Sequence, residues 1–180
     1  MRVADQLYFA PEITFSELNL SDDDELLGQL QERIEGYYLR PARELVEGKH
    51  AFAAGVIIVT CIDALSRFEY GTESETDARF PKWCGAKLPA FADGFSRRFY
   101  CDFRNGLVHE SRVKKGGEFT FEIKEAVVAT EEIFAVNPEY LVDEVSTAFD
   151  EYIKTLSTDK ESVENLKQII RSDFEYELNE

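Results

Sequence analysis

Apolar positions recur along most of this chain at the three- and four-residue spacing of amphipathic helices. After a mixed opening stretch with Pro11, Leu7-Tyr8-Phe9 and Ile13, the segment Ser21-Asp22-Asp23-Asp24 opens a helix. Ser21 is placed to cap it, and the acids suit the positive end of its dipole. Leu26, Leu30, Ile34 and Tyr37 or Tyr38 fall on one face. Arg40-Pro41 predicts a break and a restart, because proline is tolerated in a first helical turn; a short helix then runs to about Gly48. Residues 50–70 are apolar around almost the whole circumference, as in a buried central helix. The run Val56-Ile57-Ile58-Val59 also suits a strand, but about 20 residues is long for one. Gly71 to Pro81 reads as a polar link, with Trp83 and Cys84 in an apolar patch beyond it. From Pro89 a further helix runs toward His109. Phe91, Phe95, Phe99, Phe103 and Leu107 form an i, i+4 row that suits core packing better than base stacking. The neighbouring row, Arg97, Cys101, Asn105 and His109, is polar and faces solvent, a cleft or a partner.

Lys114-Lys115-Gly116-Gly117 marks a turn. Phe119, Phe121 and Ile123 then alternate with polar residues as in a half-buried strand, with a partner strand expected within Glu132 to Val136. Asn137-Pro138 starts a helix carrying Leu141, Val145, Phe149 and Ile153 on one face. Thr158-x-x-Glu161 matches a capping box and leads to Val163, Leu166, Ile170 and Phe174. The sum is a mainly α fold: one helical bundle over residues 1–180, with an N-terminal arm (1–20), a small β-hairpin inserted at 112–136 before the last two helices, and a frayed acidic tail (173–180).

Composition narrows the setting. A chain of 180 residues with 44% apolar content is expected to be one domain with an ample core. Cys61, Cys84 and Cys101 are odd in number and show no Cys-x-x-Cys spacing, so neither a disulfide framework nor a zinc site is indicated, and a cytoplasmic home is simplest. No signal-peptide pattern opens the chain, and the apolar run Ala51 to Leu65, interrupted by Asp63, is too short to span a bilayer. No cofactor signature and no metal-ligand cluster of His and Glu appears, which sets a metal-dependent hydrolase well down the order. The net charge of −16 argues against a general nucleic-acid coat. Its distribution matters more. Arg79 to Lys115 holds nine basic residues against three acids, hence +6, leaving −22 for the rest.

That basic island contains Phe103-Arg104-Asn105-Gly106-Leu107-Val108-His109-Glu110. Arginine offers a rigid donor fork suited to phosphate oxygens. Histidine is the side chain whose ordinary pKa lets it exchange protons near neutrality. Arg104-x4-His109, near the end of a helix in the second half of a helical bundle, resembles the motif of the HEPN superfamily (higher eukaryote and prokaryote nucleotide-binding). The stretch from Phe103 to Glu110, the hairpin after it and the Asn137-Pro138 helix start look like small bacterial members. The resemblance covers roughly residues 50–156. Arg43 and His50 fit the bare pattern too, but Glu44 follows that arginine and Gly48 lies between, so His50 reads as a helix-start residue.

The resemblance implies metal-independent RNA cleavage in a toxin–antitoxin or antiphage role. His109 would act as general base or acid on the ribose 2′-hydroxyl or the leaving 5′-oxygen. Arg104 would bind the phosphate and stabilise its extra charge in the transition state. Asn105 would orient His109 or bind a phosphate oxygen, and the product would be a 2′,3′-cyclic phosphate. Arg97, Arg98, Arg112, Lys114 and Lys115 are the expected RNA contacts, with no metal and no cofactor. Arg104 and His109 are five residues apart, about 140° around an ideal helix, so they converge only if the helix deforms, for which Gly106 offers a place. A homodimer with two motifs facing one cleft is the family's usual answer, and an antitoxin or effector protein is a further possible partner. Where some HEPN toxins carry a modifiable tyrosine two residues after the histidine, this chain has Ser111. The competing readings are a non-catalytic HEPN module that binds a nucleotide or a partner protein, and a purely structural motif in which Arg104 pairs with Glu110 or Asp102 while His109 caps the helix.

Overall fold

The computed structural model describes residues 2–3, 5–71 and 75–180 and is mainly helical. Strands β1 (Arg2–Val3), β2 (Gln6–Ala10) and β3 (Ile13–Thr14) form an antiparallel meander, so the N-terminal arm is a small sheet. It buries Phe9, Ala10 and Phe15. Helix α1 (Asp23–Ile34) is capped by Asp22, which accepts from the Glu25 N–H at 3.0 Å, and not by Ser21. Leu26, Leu30 and Ile34 are fully buried, as their spacing predicts.

Arg40-Pro41 does not break the chain. A π-helical turn, Glu35–Leu39, joins α1 to α2 (Arg40–Glu47) without interruption. Pro41 can donate nothing to the carbonyl four residues back, and its ring would crowd that carbonyl in a regular helix. The wider turn before it, closed from Arg40 N–H to Glu35 C=O, relieves the conflict. The central helix α3 (Ala51–Tyr70) starts at His50 and packs against α2, α7 (Pro138–Thr158), α8 (Lys160–Asp173) and α4 (Thr76–Lys87). By length and composition alone α3 is apolar enough to cross a membrane, a test the shorter run in the sequence did not meet; half of it is buried inside the protein.

The expected link up to Pro81 is partly helix: α4 passes through Pro81, while residues 72–74 lie outside the described set. Trp83 and Cys84 are buried on α4. The following helix starts later than Pro89. A 3-10 turn, Pro89–Phe91, precedes α5 (Ser96–Phe99), a second π turn (Tyr100–Arg104) and α6 (Asn105–Glu110), the last three continuous. Phe91, Phe99 and Phe103 are buried and Phe95 and Leu107 half-buried, which makes the aromatic row core.

The insertion is not a hairpin of 119–123 with 132–136. Strand β4 is only Glu118–Phe119 and runs parallel to β6 (Phe134–Val136), while β5 (Val127–Ala129) forms the antiparallel hairpin with β6; the order is β4-β6-β5. Phe103 meets Phe119 and Phe134 with ring centroids 5.1 and 5.0 Å apart, tying this sheet to the motif helix. Asn137 caps α7, accepting from Glu139 N–H at 3.0 Å. Asp159, not Thr158, caps α8. The acidic tail forms a short helix, α9 (Glu175–Asn179). Phe174 before it packs on Phe9 and Phe15, and Arg2 pairs with Glu180.

Candidate functional site

The motif arginine emerges from the second π turn. Such a turn takes in one extra residue and rotates the rest of the helix by about 100°, and Arg104 is thereby delivered to α3. Its Nε and Nη2 donate to Asp63 Oδ2 at 3.1 and 2.7 Å, and Nη1 donates to Asn105 Oδ1 at 3.3 Å. The pair is sheltered, with the Arg104 side chain 16% exposed and that of Asp63 22%. Arg104 therefore pairs with neither Glu110 nor Asp102. Arg79 on α4 approaches the other oxygen, Nη2 to Asp63 Oδ1 at 3.5 Å, from a side chain only 7% exposed. Asp63 thus lies between two guanidinium groups. Sequence reasoning treated Asp63 only as an interruption of an apolar run. The signal was there, because a carboxylate inside an apolar helix is costly unless something compensates it.

From Arg104 onward the helix is regular, so the five-residue offset keeps Arg104 and His109 on different faces. The deformation lies upstream, not at Gly106. Gly106 has another reason to be glycine: a Cβ there would lie 2.4 Å from the Arg112 carbonyl oxygen. Ser111, left-handed at φ 55°, ends α6, and Arg112 N–H returns to Gly106 C=O at 3.2 Å. His109 is exposed and, among the described residues, makes no hydrogen bond or ion pair. Asn105 lies one turn before it, so these two side chains are neighbours on one face. With its oxygen held by Arg104, Asn105 has its amide donors unused among the described residues.

The five expected RNA contacts are all engaged within the chain, by three carboxylates. Arg97 pairs with Asp77 at 3.2 Å and also donates to the Asp77 carbonyl. That carbonyl is the one Pro81 leaves without its helical donor, so Arg97 repairs a helix. Arg98 pairs with buried Asp102 at 3.2 Å, donates to the Thr130 carbonyl and lies over the Phe134 ring. Lys115 approaches Asp102 at 3.5 Å. Arg112 and Lys114 both bind Glu110 at 2.6 Å. The Lys114 ammonium, hydrogen-bonded to it, holds the Glu110 carboxyl below its ordinary range, with help from Arg112. The Arg97–Asp77 and Arg112–Glu110 pairs are exposed on both sides, and exposed pairs of this kind are worth little and exchange readily.

The second pattern match comes apart. Arg43 pairs with Glu35 at 2.8 Å and bonds Ser146, while His50 is the residue before α3. Burial pushes the Cys61 and Cys84 thiols up, which leaves neither as a nucleophile near neutral pH. Among the described residues no group of three or more His, Cys, Asp and Glu could hold a metal ion.

Fold and site together define a mainly helical protein that displays, along the end of one helix, an arginine, an amide and a histidine that is without a partner among the described residues. No family model, no curated protein and no solved structure matches the chain.

Proposed function

We propose that this protein is a metal-independent endoribonuclease of the HEPN type, acting in the cytoplasm in a toxin–antitoxin or antiphage role. His109 takes the proton from a ribose 2′-hydroxyl or gives one to the leaving 5′-oxygen. The 2′-oxygen attacks phosphorus, the P–O5′ bond breaks, and the products are a 2′,3′-cyclic phosphate and a 5′-hydroxyl. Arg104 binds the phosphate oxygens as their charge grows. The observation that carries the reading is the division of labour in the motif. Arginine has five N–H donors, and among the described residues three of those of Arg104 are in use, leaving two for a phosphate. One turn along, an exposed histidine has no partner among the described residues.

Arg104 and His109 do not converge within one chain, which favours a site completed by a second copy. Exposed apolar side chains support the same view: Phe52 near the start of α3 is 53% exposed, and Val108 beside His109 on α6 is 60% exposed. A dimer covering these residues would set two histidines over one cleft, one to accept and one to donate a proton.

A non-catalytic module that binds a partner protein is the second reading. The observation favouring it is the engagement of all five basic side chains by acids of the same chain, on a protein of net charge −16. RNA digestion in EDTA separates the two. Wild type is expected to cut total tRNA or a synthetic single strand to cyclic phosphate ends, and folded His109→Ala is not. Loss of cutting in EDTA, or retention in His109→Ala, sinks the nuclease assignment.

A further inference from the structure

We propose that Asp63 is a positioning residue for this site, holding Arg104 so that its outward donors are aimed at the scissile phosphate. The inference rests on the ribonuclease reading and deepens it. Asp63 is the first charged residue along α3, at a half-buried point of an otherwise apolar stretch. Removing a carboxylate from water is costly, and it persists there because guanidinium groups compensate it. Two arginines, Arg79 and Arg104, approach that one carboxylate.

Hydrogen-bond directions agree with that role. Nε and Nη2 form one edge of the guanidinium, and both donate to the same oxygen, Asp63 Oδ2. Two donors on one acceptor restrict rotation of the planar fork about that edge. Its unused donors lie on the Nη1 and Nη2 end, away from Asp63, where a phosphate accepts two parallel bonds. Asn105 limits the same group from the other side through Nη1. Arg79 on α4 approaches the other Asp63 oxygen at 3.5 Å as an ion pair. The chain of contacts runs from α4 through α3 to the motif, so two rigid helices fix the one side chain that must meet the transition state. Asp63 itself touches no reacting atom.

The test measures single-turnover cleavage of a synthetic single-stranded RNA in EDTA, beside the affinity for the same RNA carrying 2′-O-methyl groups. Wild type, Asp63→Asn, Arg104→Lys and the double variant are compared, each checked for folding by thermal melting. Asp63→Asn is expected to slow cleavage by about 10- to 100-fold, the scale of a misplaced group. Its affinity is expected to change by less than about threefold, because the Arg104 charge remains to meet the RNA and what is lost is alignment in the transition state. In the Arg104→Lys background the same change is expected to add less than about twofold, since residues acting as one unit are not additive. Asp63→Glu, which keeps the charge, restores part of the rate. Wild-type rates in Asp63→Asn, or losses that multiply in the double variant, overturn the proposal while leaving the ribonuclease reading standing. A wild type that does not cut RNA overturns both. If Asp63→Asn fails to fold, the wild-type protein decides the matter by nitrogen-15 NMR. A slowly exchanging Arg104 Nε–H, identified by its loss in Arg104→Lys, supports the proposal, and exchange as fast as that of a solvated arginine overturns it.

Discussion

Glu144 on α7 accepts the backbone N–H of Ala90 at 3.1 Å, and partial burial raises its carboxyl above the ordinary range despite that bond. A carboxylate whose folded pKa is raised stabilises the fold fully below its unfolded pKa and loses that contribution as pH rises through the folded value. Glu144→Gln should therefore raise the melting temperature at pH 7, by about 1–2 °C for a half-wetted group. The gap should close below about pH 4, where glutamate is protonated in both states; a gap that widens toward acid would contradict the assignment. The same scale shows the limits of composition. Arg97 reads as one more charge in a basic island, yet its guanidinium serves the carbonyl that Pro81 orphans. Arg104 and His109 are legible from spacing alone, whereas Asp63, forty-one residues upstream of Arg104, is not. Nothing local announces which of the acids a distant arginine will meet.

Among the elements, the two π turns account for most of the distance between expectation and structure. Periodicity finds the helices at α1, α3 and α7 because each buries one unbroken face. It misplaces the joints, since a wide turn admits Pro41 without ending the helix, and another turns Arg104 toward α3. Strands of two and three residues carry too little alternation to fix pairing, and β4 joins its sheet in parallel through a partner that lies across the β5–β6 hairpin. Gly106 is the most exposed of these elements to a small change. Its nearest neighbour would be a backbone oxygen, which cannot move aside as a side-chain tip can. Gly106→Ala is expected to destabilise the protein by about 1–3 kcal/mol, to loosen the turn from Ser111 to Lys114, and to show as an earlier midpoint in urea. An unchanged midpoint would mean that the turn is already free to shift.

Across the whole molecule, a −16 chain keeps its surplus bases in one region and pairs five of them to three acids. If a second copy completes the site, light scattering after gel filtration should give twice the mass of one chain. Val108→Asp, which places a charge on an exposed apolar side chain beside the motif, should return it toward a monomer and reduce cleavage together. A monomeric wild type that cuts RNA would place the whole site within one chain. The linear pattern by itself determined that the protein is mainly helical, that α3 lies at its centre, that the aromatic row is core, and that Arg104, Asn105 and His109 fall near the end of one helix. These features rest on period and burial, which adjacent residues encode. Tertiary structure alone decided that Asp63 holds Arg104, that the basic side chains are already partnered, and that the N-terminal strands close against the C-terminal helix. Each of these joins residues far apart in the chain, and such contacts depend on how helices rotate and stack, which no periodicity records.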